Sequence, residues 1–467
     1  MKYFSAILFL LFALHGRAAD FAISNNAIIC SFGDSQDADS SGAPSTGYMR
    51  MAYIHSYFAL NYPQYNLCIY DFGRSGGTMD DRLTNSLQLA GLASWGYQSN
   101  SFQHIGISFC TDNANLTSNQ MYLAQSNLCL APGIMSDGTF PLVTQTGWAA
   151  THPVQWIVAG SDPAANVDAG DAGGATSQRT RDAGCTNAGL NFGVLGLSLF
   201  YPLVSAWTND AALTSANTVG IFAGTSKEGH IEAPGQLNMA IAFLQGITTD
   251  TNISSCTMDF NGAVAAATNH CVISSVNRTG NTLSFNRLDD RLPMAWDISN
   301  TDPTNNALPA FALIPSEAEA FRFTLQITNL PAGHYRVQID GVTVADNLSS
   351  TALAAGWNMF TNTVGPYWNQ RYEVLGRIRD FEYVDRQTRV PGSASDDIGE
   401  VSLGSQEFSH WSSGVRGDAL IAAMNDKIAH LHTNSVSSFA AIHAAAQPTN
   451  HTFTVTLAAP IFAPFHR

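Results

Sequence analysis

Basic residues are scarce: 21 Lys and Arg stand against 36 Asp and Glu, a formal charge of −15, and the only lysines are Lys2, Lys227 and Lys427. Nucleic-acid binders neutralise phosphates with clustered Lys and Arg, so that partner class is excluded, and an anionic membrane surface is as poor a match. Charge of either sign is sparse, 12% of residues against 45% hydrophobic. Disordered chains show the reverse balance, and 467 residues are ample to bury a core. Past the first residues, no stretch runs to about 18 unbroken apolar positions, so no membrane insertion is expected. The longest, Phe192 to Trp207, is broken by glycines, serines and a proline. The zinc-binding patterns Cys-x-x-Cys and His-Glu-x-x-His are absent. His430 and His432, two apart in a helical stretch, face different ways, so no metal site is expected.

What is present begins with a targeting segment. Lys2, the apolar run Ile7 to Leu14 and the small residues around Gly16 and Ala18 read as a secretory signal over residues 1–18. Its removal leaves 467 − 18 = 449 residues and a charge of 19 − 36 = −17, and predicts export. Seven cysteines follow, and an oxidising compartment permits disulfides while an odd number leaves at least one thiol unpaired. Cys256 and Cys271 flank one predicted hairpin and are the best candidate pair. Cys30 and Cys68 lie inside apolar strands, where cysteine behaves as a small core residue.

From Ala27 to Ile247 apolar strands alternate with helical segments, the mark of a parallel α/β sheet. Strands are predicted at 27–32, 66–72, 104–109, 154–159 and 194–199. Met51, Ile54 and Phe58 set a helix that Asn61-Tyr62-Pro63 stops, and Pro234 starts a last helix with Leu237, Ile241 and Leu244 on one face. Past residue 250, alternating segments such as Phe321 to Ile327 and His334 to Ile339 are separated by turn residues, the pattern of an antiparallel sandwich. Residues 391–405 read as a linker, 418–445 as helical and 452–457 as a final strand. The expected division is 19–248 for the α/β unit, 249–395 for the sandwich, and 396–467 for a linker, helix and strand packing on the second unit.

Ligand sites of parallel sheets lie at the carboxyl ends of the strands. There the first strand runs into Gly33-Asp34-Ser35, the second into Asp71-Phe72-Gly73-Arg74-Ser75-Gly76-Gly77-Thr78, and the third into Cys110-Thr111-Asp112-Asn113. Lys227-Glu228-Gly229-His230 precedes the last helix. A serine needs a base to act as nucleophile, and histidine has the pKa for it near neutrality. Asp168 to Gly184 reads as a surface loop, and Trp357, Tyr367 and Trp368 read as core aromatics more readily than as sugar-stacking platforms.

In this order the blocks resemble the SGNH (GDSL-like) hydrolase superfamily, over roughly Ala27 to Ile247. The serine block is "FGDSQ", the glycine block "FGRSGGT" and the histidine block "KEGHIEAPGQLNMAIAFLQGI". The trailing segments "GHYRVQIDG" and "LAAGWNMF" look like the sandwich attached to some bacterial members. The resemblance implies a flavodoxin-like three-layer α/β domain followed by a β-sandwich with a helical extension. It implies Ser35 as nucleophile, His230 as base, and backbone N–H groups of Ser35 and Gly76 in an oxyanion hole. The implied substrate is a small ester or acylated carbohydrate, and no metal or organic cofactor is implied.

Two positions depart from the family. Asp112 stands where the family has the asparagine that donates to the oxyanion; losing one such donor costs about 10²–10³ in kcat. Asn113 is the neighbouring substitute donor. Lys227 stands where the family has the acid that orients the histidine, and loss of that acid costs about 10⁴ in the best-studied serine protease. Glu228 and Glu232 are the candidate substitute acids, each displaced from the expected position. Two readings follow: a secreted ester hydrolase, or a catalytically impaired relative that binds or builds outside the cell.

Overall fold

The computed structural model describes residues 22–33, 50–71, 103–109, 154–160, 195–197, 233–248, 250–298, 306–389 and 436–458, with single positions 183 and 203. Its first unit is a parallel sheet of β1 (Ile28–Phe32), β2 (Cys68–Asp71), β3 (His104–Phe109), β4 (Val154–Ala159) and β5 (Leu195–Leu197). The order is β2-β1-β3-β4-β5, that of flavodoxin-like sheets. Every pairing in it is parallel. Inner positions such as Ile29, Ile105, Ile107 and Ile157 have no or almost no exposure, as strands covered on both faces require.

Helices α1 (Arg50–Asn61) and α2 (Ala233–Ile247) pack against one another. Both are buried nearly all round, which a sheet alone does not explain. The second unit supplies the other cover. The expectation of a further helical layer on the sheet falls outside the described residues.

That second unit contains two sheets. One has the order β13-β10-β6-β7, from β6 (Asn252–Asp259), β7 (Val264–Asn269), β10 (Arg322–Thr328) and β13 (Trp357–Asn358). The other has the order β12-β11-β14-β9-β8, from β8 (Cys271–Thr279), β9 (Thr282–Asp289), β11 (His334–Ile339), β12 (Val342–Ser349) and β14 (Asn450–Leu457). The five-stranded sheet is antiparallel throughout. The four-stranded one departs from the antiparallel expectation, because β6 and β10 pair in parallel. Between them the chain passes through β7, β8, β9 and two short helices, a connection long enough to return in the same direction.

Short helices α3 (Ala310–Leu313) and α4 (Ser350–Ala355) and a 3₁₀ turn (Pro315–Glu319) lead to α5 (Pro366–Arg389); of the helix expected over 418–445, the described part is 436–445, here α6, and the rest lies outside the described residues. Asp340 and Gly341 both take positive φ, 51° and 81°, making the tight turn between β11 and β12. Between the sheets lies a buried ion pair: Arg287 Nη2 stands 2.8 Å from Asp289 Oδ1, with no exposure of the arginine and 1% of the aspartate side chain. Arg287 also donates to Thr324 O and Ser254 Oγ, and Tyr367 donates to Asp289 Oδ2.

The two units share one continuous core. Leu292 N donates to Leu60 O at 2.9 Å, Ser56 Oγ to Ala295 O at 3.3 Å, and Asn238 Nδ2 to Ala310 O at 3.3 Å. The Tyr57 and Phe321 rings lie 5.2 Å apart, and Tyr70 of β2 meets Phe439 of α6 edge-on at 5.1 Å. Thus α1 and α2 form a middle layer roofed by the second unit. Among the described residues no helix is long and apolar enough to cross a membrane.

Candidate active-site edge of the parallel sheet

Because all five strands run the same way, their carboxyl ends share one edge. The register pairs Ser31 with Asp71, Phe32 with Ser108, Phe109 with Ala159, and Ala159 with Leu197. Ser31, buried, donates its Oγ hydrogen to Asp71 Oδ1 at 2.8 Å, fastening the ends of β1 and β2 together. Gly160 N, one residue past β4, donates to Leu197 O at 2.6 Å and fastens β4 to β5. The chain segments leaving β2, β1 and β3 therefore start side by side.

Arg50 ties the helices to this edge. Its side chain is 3% exposed, its Cζ lies 3.9 Å over the ring of Phe109, the last residue of β3, and Nη1 stands 3.5 Å from Met239 Sδ of α2. The start of α1, the end of β3 and the first half of α2 thus meet at one guanidinium. A cation in the first turn opposes the helix dipole, so its place there reflects packing and pairing and not helix preference. Sequence reasoning passed over Arg50, although it is the sole Lys, Arg, Asp or Glu in an otherwise apolar helix.

The predicted functional residues themselves, Ser35, Gly76, Asp112, Asn113, Lys227, Glu228, His230 and Glu232, lie outside the described residues. By sequence, Ser35 follows the end of β1 by three residues, Gly76 follows β2 by five, Asp112 and Asn113 follow β3 by three and four, and His230 precedes α2 by three. The strand ends from which the Ser35, Gly76 and Asp112–Asn113 segments depart are described, and they share a single sheet edge.

Other titratable groups have structural settings. Burial in α1 pulls His55 down to about 3, so it stays neutral against Phe439. Burial pushes the Cys68 thiol up to about 11. Burial also raises Glu317 well above the carboxylate range, opposed in part by the hydrogen bond from Asn238. Tyr367 and Trp368 are 6% and 5% exposed and pack in the core with Phe323 and Trp296. Neither is a sugar-stacking platform, and Trp357 is half-buried in β13. Among the described residues no three His, Cys, Asp or Glu side chains gather as metal ligands do.

The fold is thus an α/β unit with a flavodoxin-like strand order, joined without a gap to a two-sheet β unit. No family model matches the chain, and no curated protein does. Among solved structures, a gut microbial diltiazem-metabolizing enzyme superposes with a TM-score of 0.64 at 12% identity, covering 95% of this chain and 100% of that one. At that identity the likeness shows the fold, and it extends over both units. A Parabacteroides merdae protein named for its likeness to GDSL lipases covers 49% of this chain and 99% of its own, at 14% identity and a TM-score of 0.33, too low to carry structural meaning.

Proposed function

We propose that the chain is an exported serine ester hydrolase of the SGNH type, acting on a small acyl ester such as an acetylated carbohydrate. Ser35 attacks the ester carbonyl while His230 takes its proton and passes it to the leaving alcohol. Water, activated by the same histidine, then releases the acid from Ser35. Backbone N–H groups of Ser35 and Gly76 hold the oxyanion, joined by the Asn113 side chain where Asp112 has displaced the usual donor. Glu228 or Glu232 orients the histidine in place of Lys227.

One observation carries the reading: the parallel order and register of β2, β1 and β3 start the three motif-bearing segments at one edge, with α2, which follows the His230 block, packed there through Arg50. The likeness of the whole chain to a protein named as a drug-metabolizing enzyme supports an enzymatic role. A fluorophosphonate probe tests it without knowledge of the substrate. Labelling of the wild type that vanishes in Ser35→Ala is the expected result. A folded protein that stays unlabelled from pH 6 to 9 would refute it.

The substitutions Asp112 and Lys227 favour a second reading, a binding protein on a hydrolase scaffold. An unlabelled chain that still retains an acetylated glycan on an affinity column supports that one.

A further inference from the structure

The sequence leaves one pairing that the proposed chemistry does not use. β6 and β7 belong to the four-stranded sheet, and β8 belongs to the five-stranded one. The chain leaves β7 at Asn269, turns at His270 with φ 54°, and enters β8 at Cys271. The Oγ of Ser254 of β6 lies at this corner, 3.3 Å from Asn269 O and 3.1 Å from His270 O.

Two sulfurs meet there. Cys256 of β6 is 1% exposed, and its Sγ accepts from Arg287 Nη1 at 3.4 Å. Cys271 is half-buried, with its Sγ 3.3 Å from Ser255 O on the residue next to Cys256. Cys271 Sγ thus lies against the backbone beside Cys256, and the two sulfurs are not covalently bonded to one another.

We infer that Cys256 and Cys271 form an inter-sheet disulfide, a covalent modification site that locks the corner at which the chain crosses from one sheet to the other. Cys271, the more exposed sulfur, is the entry point. Its thiol is drawn down to about 7 by the hydrogen bond from Cys256, against the opposing effect of burial, and Arg287 adds a favourable charge. The oxidant is a low-molecular-weight disulfide. The Cys271 thiolate attacks one of its sulfurs, breaking the donor S–S bond and releasing one donor thiol. Cys256 then gives up its proton and attacks the Cys271 sulfur, expelling the second donor thiol. Two protein thiols are oxidised to one disulfide, and one donor disulfide is reduced to two thiols.

The test uses the full chain incubated with oxidised glutathione, unfolded in N-ethylmaleimide, digested and examined by mass spectrometry. The expected product is a peptide pair linking Cys256 to Cys271, more abundant than the alkylated forms. It should disappear on reduction before alkylation and be missing from Cys271→Ser, a substitution of nearly the same size at a half-buried position. Recovery of both cysteines as maleimide adducts from folded, oxidant-treated protein would overturn the inference. So would linkage of either cysteine to a different partner. The outcome is independent of Ser35, so it stands or falls apart from the proposed hydrolase activity.

Discussion

Substituting Asp289 by Asn removes one charge from the pair buried between the two sheets and leaves Arg287 without a counter-ion. The magnitude follows from the surroundings. Asp289 is 2% exposed and accepts from Ser254 Oγ, Tyr367 Oη, and both Nε and Nη2 of Arg287. An asparagine of the same shape turns one acceptor into a donor that faces other donors. Breaking a buried pair from one side costs about 3–5 kcal/mol, because the surviving charge has no water to return to. At 1.4 kcal/mol per tenfold, that is about two to three and a half decades in the folded-to-unfolded ratio. Removing both charges and the dependent hydroxyl, as Arg287→Met, Asp289→Leu and Tyr367→Phe together, should recover most of the loss, since no charge is then stranded and the Ser254 hydroxyl turns to Asn269 O or His270 O, at the cost of the hydrogen that Arg287 donated to Thr324 O. Urea titration of the full chain, followed by tryptophan fluorescence and by far-ultraviolet circular dichroism, reads both effects. A cost below about 1 kcal/mol for Asp289→Asn, or a triple variant weaker than the single one, would refute the reasoning.

Burial raises Glu317 in the folded state, so the folded protein holds that proton more tightly than the unfolded chain does. Stability contributed there is present below the unfolded carboxylate pKa and falls as pH rises toward the folded one. Glu317→Gln should therefore raise the urea midpoint at pH 8 and change it little at pH 4. In reduced protein at pH 8, iodoacetamide should modify Cys271, drawn down to about 7, well before Cys68, pushed up to about 11; peptide mapping over a time course checks the order. Closing the loop between Cys256 and Cys271 should stabilise the oxidised chain by about 3 kcal/mol, which paired oxidised and reduced melts measure. Arg50→Met keeps the side chain's stem and removes its stack on Phe109; a displaced site should slow fluorophosphonate labelling by about 10²-fold, read from the labelling rate.

The strands of the first unit were legible because each lies in a short, largely apolar run bounded by turn residues; β3 and β4 have the expected bounds. Their order was not legible from periodicity, since adjacency of β1 and β3 is set by packing between distant segments. Helix α5, 24 residues long, was not anticipated at all. Its buried stripe of Trp368, Arg371, Val374, Leu375, Ile378 and Phe381 has helical spacing, but a guanidinium interrupts the apolar signal. Arg371 is acceptable inside because Met294 O and Phe360 O accept its hydrogens and Trp296 lies under its plane. Arg50 escaped notice for the same reason: one cation in an apolar helix reads as a surface residue until the neighbouring strand end is known. Of the candidate site, the motif residues came from sequence, and the common edge that unites their segments came from the sheet.

The place of β14 has a consequence for how the molecule is made. It lies between β9 and β11, bonded along its length to both, yet it is separated from β11 by more than a hundred residues. Until residue 457 has left the ribosome, the five-stranded sheet is two unjoined hairpins, β8–β9 and β11–β12, each presenting a bare edge to any passing strand. A chain shortened before residue 450 would keep every segment proposed for catalysis and still lack the staple that closes its second half. Such a truncation should accumulate as an aggregate during synthesis. Integrity here is a timing problem: β14, made after the other four strands of its sheet, is the one that seals the gap.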